Sequence, residues 1–125
     1  MGLDMTVYET MSDIPTLTDF DTDTLFTREI FRWRKHPNLH GWMQALYKRK
    51  GGVQDYLNCT PVQLTLTDIE ELEQAIKGKT LPFTEGFFFE VSTDDEETLA
   101  YDLLFIEKAK EALSNAYNLY YECSW

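Results

Sequence analysis

Arg28-Glu29-Ile30-Phe31-Arg32-Trp33-Arg34-Lys35-His36-Pro37-Asn38-Leu39-His40-Gly41-Trp42-Met43 reads as two elements joined at a proline. Up to Lys35 the periodicity is ambiguous. As a strand, Ile30, Arg32 and Arg34 share one face and Phe31 and Trp33 the other. As a helix, Phe26, Ile30 and Trp33 would align. Pro37 decides between them, because proline suits the first position of a helix and breaks an interior. A strand therefore ends before His36 and a helix starts at Pro37. Leu39, Trp42, Met43, Leu46 and Tyr47 then form one apolar stripe at helical spacing, and Gly51-Gly52 ends it.

The same rules extend outward in both directions. Leu3 to Tyr8 alternates apolar and polar residues, the period of a half-buried strand. Residues 9–24 contain Pro15 and many Thr and Asp, and read as an acidic loop. Thr60 to Leu66 alternates as a further strand. Thr67-Asp68-Ile69-Glu70 has capping-box spacing and opens a helix that stops at Gly78. Phe87-Phe88-Phe89 reads as a short strand of high β-propensity. A long helix follows from about Glu96 to Tyr117 with Leu99, Leu103, Ile106, Ala109 and Leu113 inward, then a left-handed stop at Asn118 and a last strand over Leu119–Cys123. The expected fold is α+β: residues 1–125 as one compact domain, with a mixed sheet of about five strands and about three helices. Helical crossovers favour some parallel pairs.

Composition narrows the chemistry. The chain has 125 residues, is 43% apolar and carries a net charge of −11. That length suits one domain with a real core and is too short for a two-domain enzyme. No apolar run is long enough to span a bilayer, and the N-terminus lacks the basic and apolar regions of a signal peptide. Met1-Gly2-Leu3-Asp4-Met5-Thr6 formally matches a myristoylation motif, but Leu3 to Tyr8 reads better as a strand. Cys59 and Cys123 fit no metal spacing and read as a reduced cytosolic pair.

Seven of the eleven cations lie between residues 28 and 50 with a single acid, Glu29, so that window is +6 and the rest of the chain −17. The overall charge opposes adhesion to nucleic-acid polymers, and the local charge favours a small anion. The competing reading pairs these cations with acids across the fold. No Gly-rich phosphate loop, GxSxG elbow or HExxH motif is present, which leans away from an enzyme. His36 and His40 sit four apart without a third ligand, so neither a metal nor a cofactor is expected. Arg34 offers a planar fork for phosphate or carboxylate, His40 titrates near neutrality, and Trp33, Trp42 and Trp125 offer flat faces.

Four ordered segments carry a resemblance: Met1-Gly2-Leu3-Asp4-Met5, Trp33-Arg34-Lys35 with His40 and Trp42, Leu81-Pro82-x-Thr84-x-Gly86-Phe87-Phe88-Phe89, and Tyr120-Tyr121-x-Cys123-Ser124-Trp125. Together they resemble a group of small phage and prophage proteins that begin MGLDM, carry WRK-x4-H-x-W and LP-x-T-x-GFFF, and close on YY-x-SSW. Here Glu90 stands where that group has glycine, Cys123 replaces the first Ser of SSW, and Pro37 replaces a small or amide residue. Some cyanophage relatives carry a phosphoglycerate kinase label, which this length does not support.

The resemblance implies a shared pocket in a phage accessory protein of the bacterial cytoplasm. Arg34, Lys35 and His40 would hold a small anionic, nucleotide-like ligand, and Thr84, Tyr121, Ser124 and Trp125 would complete the site. Two alternatives remain open. One is an acidic inhibitor of a host protein that imitates nucleic-acid charge; the other is a small hydrolase using His40.

Overall fold

The computed structural model describes residues 3–23, 25–34, 36–82 and 96–125. Pro37 divides the chain as its chemistry requires. The elements are β1 (Asp4–Thr10), β2 (Thr27–Arg34), α1 (Pro37–Arg49), β3 (Val62–Leu64), α2 (Leu66–Lys77), α3 (Glu96–Ser114) and β4 (Asn118–Ser124). They form a single compact α+β domain.

Among the described residues the sheet has four strands in the order β2-β1-β4-β3, and every neighbouring pair is antiparallel. The antiparallel pairing corrects the expected mixed sheet, and four of the five expected strands are present among the described residues. β3 returns to β4 through two successive helices, so the chain re-enters from the end at which it left. The strand expected at Phe87–Phe89 lies outside the described residues.

Strand alternation assigns the faces. Met5, Val7, Phe31, Trp33, Leu119, Tyr121 and Cys123 are buried in one cluster with Leu39, Met43 and Tyr47 of α1, Ile69, Leu72 and Ile76 of α2, and Phe105, Ile106 and Ala109 of α3. Trp33 meets Phe105 edge-on, with ring centroids 4.7 Å apart. Each fully buried side chain of this kind contributes about 1.5–3 kcal/mol. The other face of the sheet carries Asp4, Thr6 and Tyr8 of β1 in register with Arg34, Arg32 and Glu29 of β2 and with Ser124, Glu122 and Tyr120 of β4.

The segment read as an acidic loop folds back across that second face. Phe20 is buried and meets Tyr120 edge-on at 5.4 Å, and Tyr120 stacks on Tyr8 at 5.2 Å. Thr18 bridges to Val62, and Gln63 N–H donates to the Leu17 carbonyl, so the segment also pairs with the outer edge of β3. Asp19 fastens it, accepting from Tyr47 Oη at 2.6 Å, Thr60 Oγ1 at 2.9 Å and Val53 N–H at 3.3 Å. These hydrogen bonds outweigh the opposing effect of burial and hold the Asp19 carboxyl below its ordinary value.

Two helix ends fall elsewhere than expected. The capping box of α2 uses Thr65 and Asp68, two residues before the Thr67–Glu70 pair of identical spacing. Asp68 wins because it also ion-pairs with Lys50 and is buried, whereas Glu70 faces solvent. At the end of α3 the left-handed residue is Ala116, with φ 65°, and Asn118 already belongs to β4. Tyr117 N–H donates to the Ala112 carbonyl and Ala116 N–H to that of Leu113, the paired bonds of a Schellman stop. Alanine in that conformation is strained, so Ala116→Gly is expected to raise unfolding stability by about 1 kcal/mol, measured by urea denaturation.

Candidate functional site

β2 delivers Trp33 and Arg34 to one end of the sheet, and α1 begins there with His36 as its N-cap residue. β4 ends at the same place, since Asp4 is in register with both Arg34 and Ser124. Segments far apart in sequence thus meet at one corner. Among the described residues, Arg34 and Ser124 do not cluster with His40 and Tyr121, because strand alternation sends them to opposite faces.

On the helix side lies a buried polar chain. Trp33 Nε1–H donates to Asp102 Oδ1 at 3.0 Å, and His36 Nε2 lies 2.9 Å from Asp102 Oδ2. Asp102 and His36 are only 3% and 7% exposed. The carboxylate therefore ties α3 to the junction of β2 and α1. One turn on, His40 Nδ1 lies 2.8 Å from Tyr121 Oη, which joins α1 to β4.

Both members of that second pair are neutral at pH 7. Burial lowers the pKa of His40 to about 4. Burial also pushes the Tyr121 phenol well above its ordinary value, helped by Cys123 beside it. Desolvation favours the uncharged form of each, which is an imidazole and a phenol. His40 is therefore no fixed cation here, and near neutrality it is a weak base with little access to solvent. Cys123 is likewise pushed up to about 12 by burial, so its thiol is not a nucleophile at neutral pH.

The opposite face presents Arg34 and Ser124, both exposed, on either side of Asp4. Arg34 Nε pairs with Asp4 Oδ1 at 3.1 Å, with side chains 73% and 53% exposed. An ion pair so open to water is worth about 0–1 kcal/mol, so Arg34 can exchange Asp4 for another anion at little cost. Trp125 follows at the corner. Its backbone N–H donates to Asn58 Oδ1 at 3.0 Å and its indole Nε1–H to the Leu57 carbonyl at 2.9 Å.

The structure thus places Arg34 and Ser124 on either side of Asp4 and brings His40 beside Tyr121, and the sheet separates the first two from the second. Trp125 packs against residues 57–58. Lys35 and Thr84 lie outside the described residues. Sequence reasoning missed Asp102, which organises the buried side, and with it the buried partner of His36 at the start of α1.

The basic window is largely neutralised. Arg28 pairs with Glu9, Arg32 with Glu29, Arg34 with Asp4, Arg49 with Glu71 and Lys50 with Asp68. Lys48 donates to the Gln54 carbonyl. No described helix is long and apolar enough to cross a membrane. No family model, curated protein or solved structure matches the chain.

Proposed function

We propose that the chain is a phage-type accessory protein of the bacterial cytoplasm that binds a small anionic, nucleotide-like ligand at the Arg34 end of the sheet. The supporting observation is the exposed Arg34–Asp4 pair, with Ser124 of β4 in register with Asp4 on its other side. A guanidinium offers two parallel donors to a phosphate and the serine hydroxyl a third. Lys35 and Thr84 remain part of this proposal from their place in the sequence motifs. His40 and Tyr121 enter it in a changed role. As a neutral buried pair they hold the start of α1 against β4, and so fix the corner on which Arg34 and Ser124 stand. Sequestration of a host nucleotide signal is a task that suits such a site.

A ligand that binds only the folded state stabilises it by RT ln(1 + [L]/Kd), about 2.7 kcal/mol at a hundredfold excess over Kd. Thermal-shift measurements with cyclic and linear nucleotides and inorganic phosphate are expected to raise Tm by about 10 °C for a good ligand at that excess. Arg34→Gln is expected to abolish the rise and leave the unliganded Tm within about 2 °C. No rise with any of these anions, or an equal rise in Arg34→Gln, would refute the site.

The pairing of five cations from the basic window with acids supports a second reading, an inhibitor of a host protein that presents an acidic surface. It predicts salt-sensitive capture of a host nucleic-acid enzyme that survives Arg34→Gln.

A further inference from the structure

Residues 57–59 lie against the end of β4 and bond to it repeatedly. Cys59 N–H donates to the Cys123 carbonyl at 2.8 Å. Cys123 Sγ donates to the Leu57 carbonyl at 3.2 Å, and Trp125 Nε1–H donates to the same oxygen at 2.9 Å. Asn58 Oδ1 accepts from Trp125 N–H. The chain's two cysteines therefore meet across this contact, although they are far apart in sequence. Both thiols are free, with Cys123 buried and Cys59 exposed.

Residues joined by a backbone bond of this kind have Cα atoms about 5.5 Å apart, within the roughly 4.4–6.8 Å that a disulfide spans. The Cys59 backbone N–H also faces the Cys123 sulfur. What keeps the two thiols apart is the backbone of Cys59, which has φ 56°. That left-handed conformation is costly for a residue with a Cβ. It turns the side chain to solvent, where Sγ lies 3.4 Å from Asn58 Oδ1. Leu57, two residues earlier, is fully buried in the cluster that holds Cys123. In an extended segment residues two apart point the same way. Returning Cys59 to ordinary extended backbone therefore turns its thiol inward, to the side of Cys123.

We propose that Cys59 and Cys123 form a reversible disulfide switch, closed by a low-molecular-weight disulfide, that locks residues 57–59 onto the last strand. Cys59 is the entry thiol. Its thiolate attacks one sulfur of the small disulfide, forming a mixed disulfide and releasing one small thiol. Cys123 does not react while buried, where its thiol is pushed up to about 12. It reacts when residues 57–59 lift and water reaches it, since desolvation is what holds its proton. Its thiolate then attacks Cys59 Sγ, the protein disulfide forms and the second small thiol leaves. Two protein thiols are oxidised and one small disulfide is reduced to two thiols. Asn58 Oδ1 is shared by Cys59 Sγ and Trp125 N–H, so the turn at Cys59 is transmitted to Trp125. The fold stands with both thiols free, and in a reducing compartment such a bond senses redox state rather than building the structure. The switch needs no ligand at Arg34 and stands or falls independently of the anion site.

Treatment of the whole chain with excess oxidised glutathione in native buffer, followed by intact mass and peptide mapping, tests this. The wild type is expected to pass through a glutathione adduct on Cys59 to a monomer in which Cys59 and Cys123 are linked, and dithiothreitol is expected to reverse it. The linked form should melt about 5 °C or more above the reduced form, since the cross-link restricts the unfolded chain. Cys123→Ser is expected to stop at the adduct on Cys59. Cys59→Ser is expected to react about a hundredfold more slowly than the wild type, because the remaining thiol is buried and protonated. The wild-type product decides on its own, should either variant fail to fold. An adduct on Cys59 that persists in the wild type, or a disulfide between two chains, would overturn the proposal. So would a Cys59–Cys123 link that forms only in urea.

Discussion

Asp102→Ala is expected to destabilise the protein by about 3–5 kcal/mol, because it breaks a buried, hydrogen-bonded carboxylate pairing. The carboxylate accepts from Trp33 Nε1–H and contacts His36 Nε2, and all three residues are buried. Its removal leaves two buried polar groups without that acceptor, each costing about 1–3 kcal/mol. For a chain of this length, that corresponds to a fall in Tm of roughly 10–20 °C. Asp102→Asn keeps an acceptor for one of the two and is expected to cost roughly half as much. Urea denaturation of both variants checks the prediction. A loss below about 1 kcal/mol for the alanine variant would mean that Asp102 behaves as an ordinary surface acid.

Acid sensitivity between pH 6.5 and 4 is the second large expectation. Burial holds the His40 pKa at about 4 in the folded chain, against 6.5 for an ordinary imidazole, so the unfolded state binds the extra proton throughout that interval. Stability from the neutral buried ring is fully present above about pH 6.5 and is lost as pH falls towards 4. At 1.36 kcal/mol per tenfold change in proton affinity, the loss from pH 7.5 to 4.5 is about 2–3 kcal/mol. Glu122 acts in the opposite direction, since burial and the nearby Asp23 raise its carboxyl and its protonation favours the folded state as pH falls. Asp19, held below its ordinary value, contributes stability that is lost only at more acid pH. His40→Gln keeps a hydrogen-bonding group for Tyr121 and does not titrate. The slope of stability against pH in that variant should flatten by the amount assigned to His40, as read from urea midpoints at pH 7.5 and 4.5.

Much of the fold follows from local rules. Pro37 separates β2 from α1, and the alternation of β1, β2 and β4 gives their buried faces. Where local rules left two equal choices, tertiary contacts decided. Thr65 and Thr67 both stand three residues before an acid, and Lys50 selects Thr65 by pairing with Asp68. Asn118 is the better left-handed residue by chemistry, but register with Thr10 of β1 draws it into β4 and leaves Ala116 to take the turn.

The candidate site was half legible. The parity that buries Phe31 and Trp33 also turns Arg34 to the other face, and the same alternation separates Tyr121 from Ser124. Taken through both strands, it already places Arg34 and Ser124 on the opposite face from Trp33 and Tyr121. Asp102 had a signal as well, because it stands on the inward stripe of α3, three residues after Leu99 and four before Ile106. A carboxylate on an apolar stripe needs a buried partner, and only the fold shows that Trp33 and His36 supply it.

His40 is a neutral, buried link between α1 and β4, and the proposed anion site lies on the exposed Arg34 face. Titration of the His40 ring by NMR tests this most directly. A midpoint near pH 4 that moves little when phosphate or nucleotide is added is expected. A midpoint near 6.5, or one that rises on adding an anion, would place a charged His40 in the ligand site and contradict the division of the corner into a buried side and a binding side.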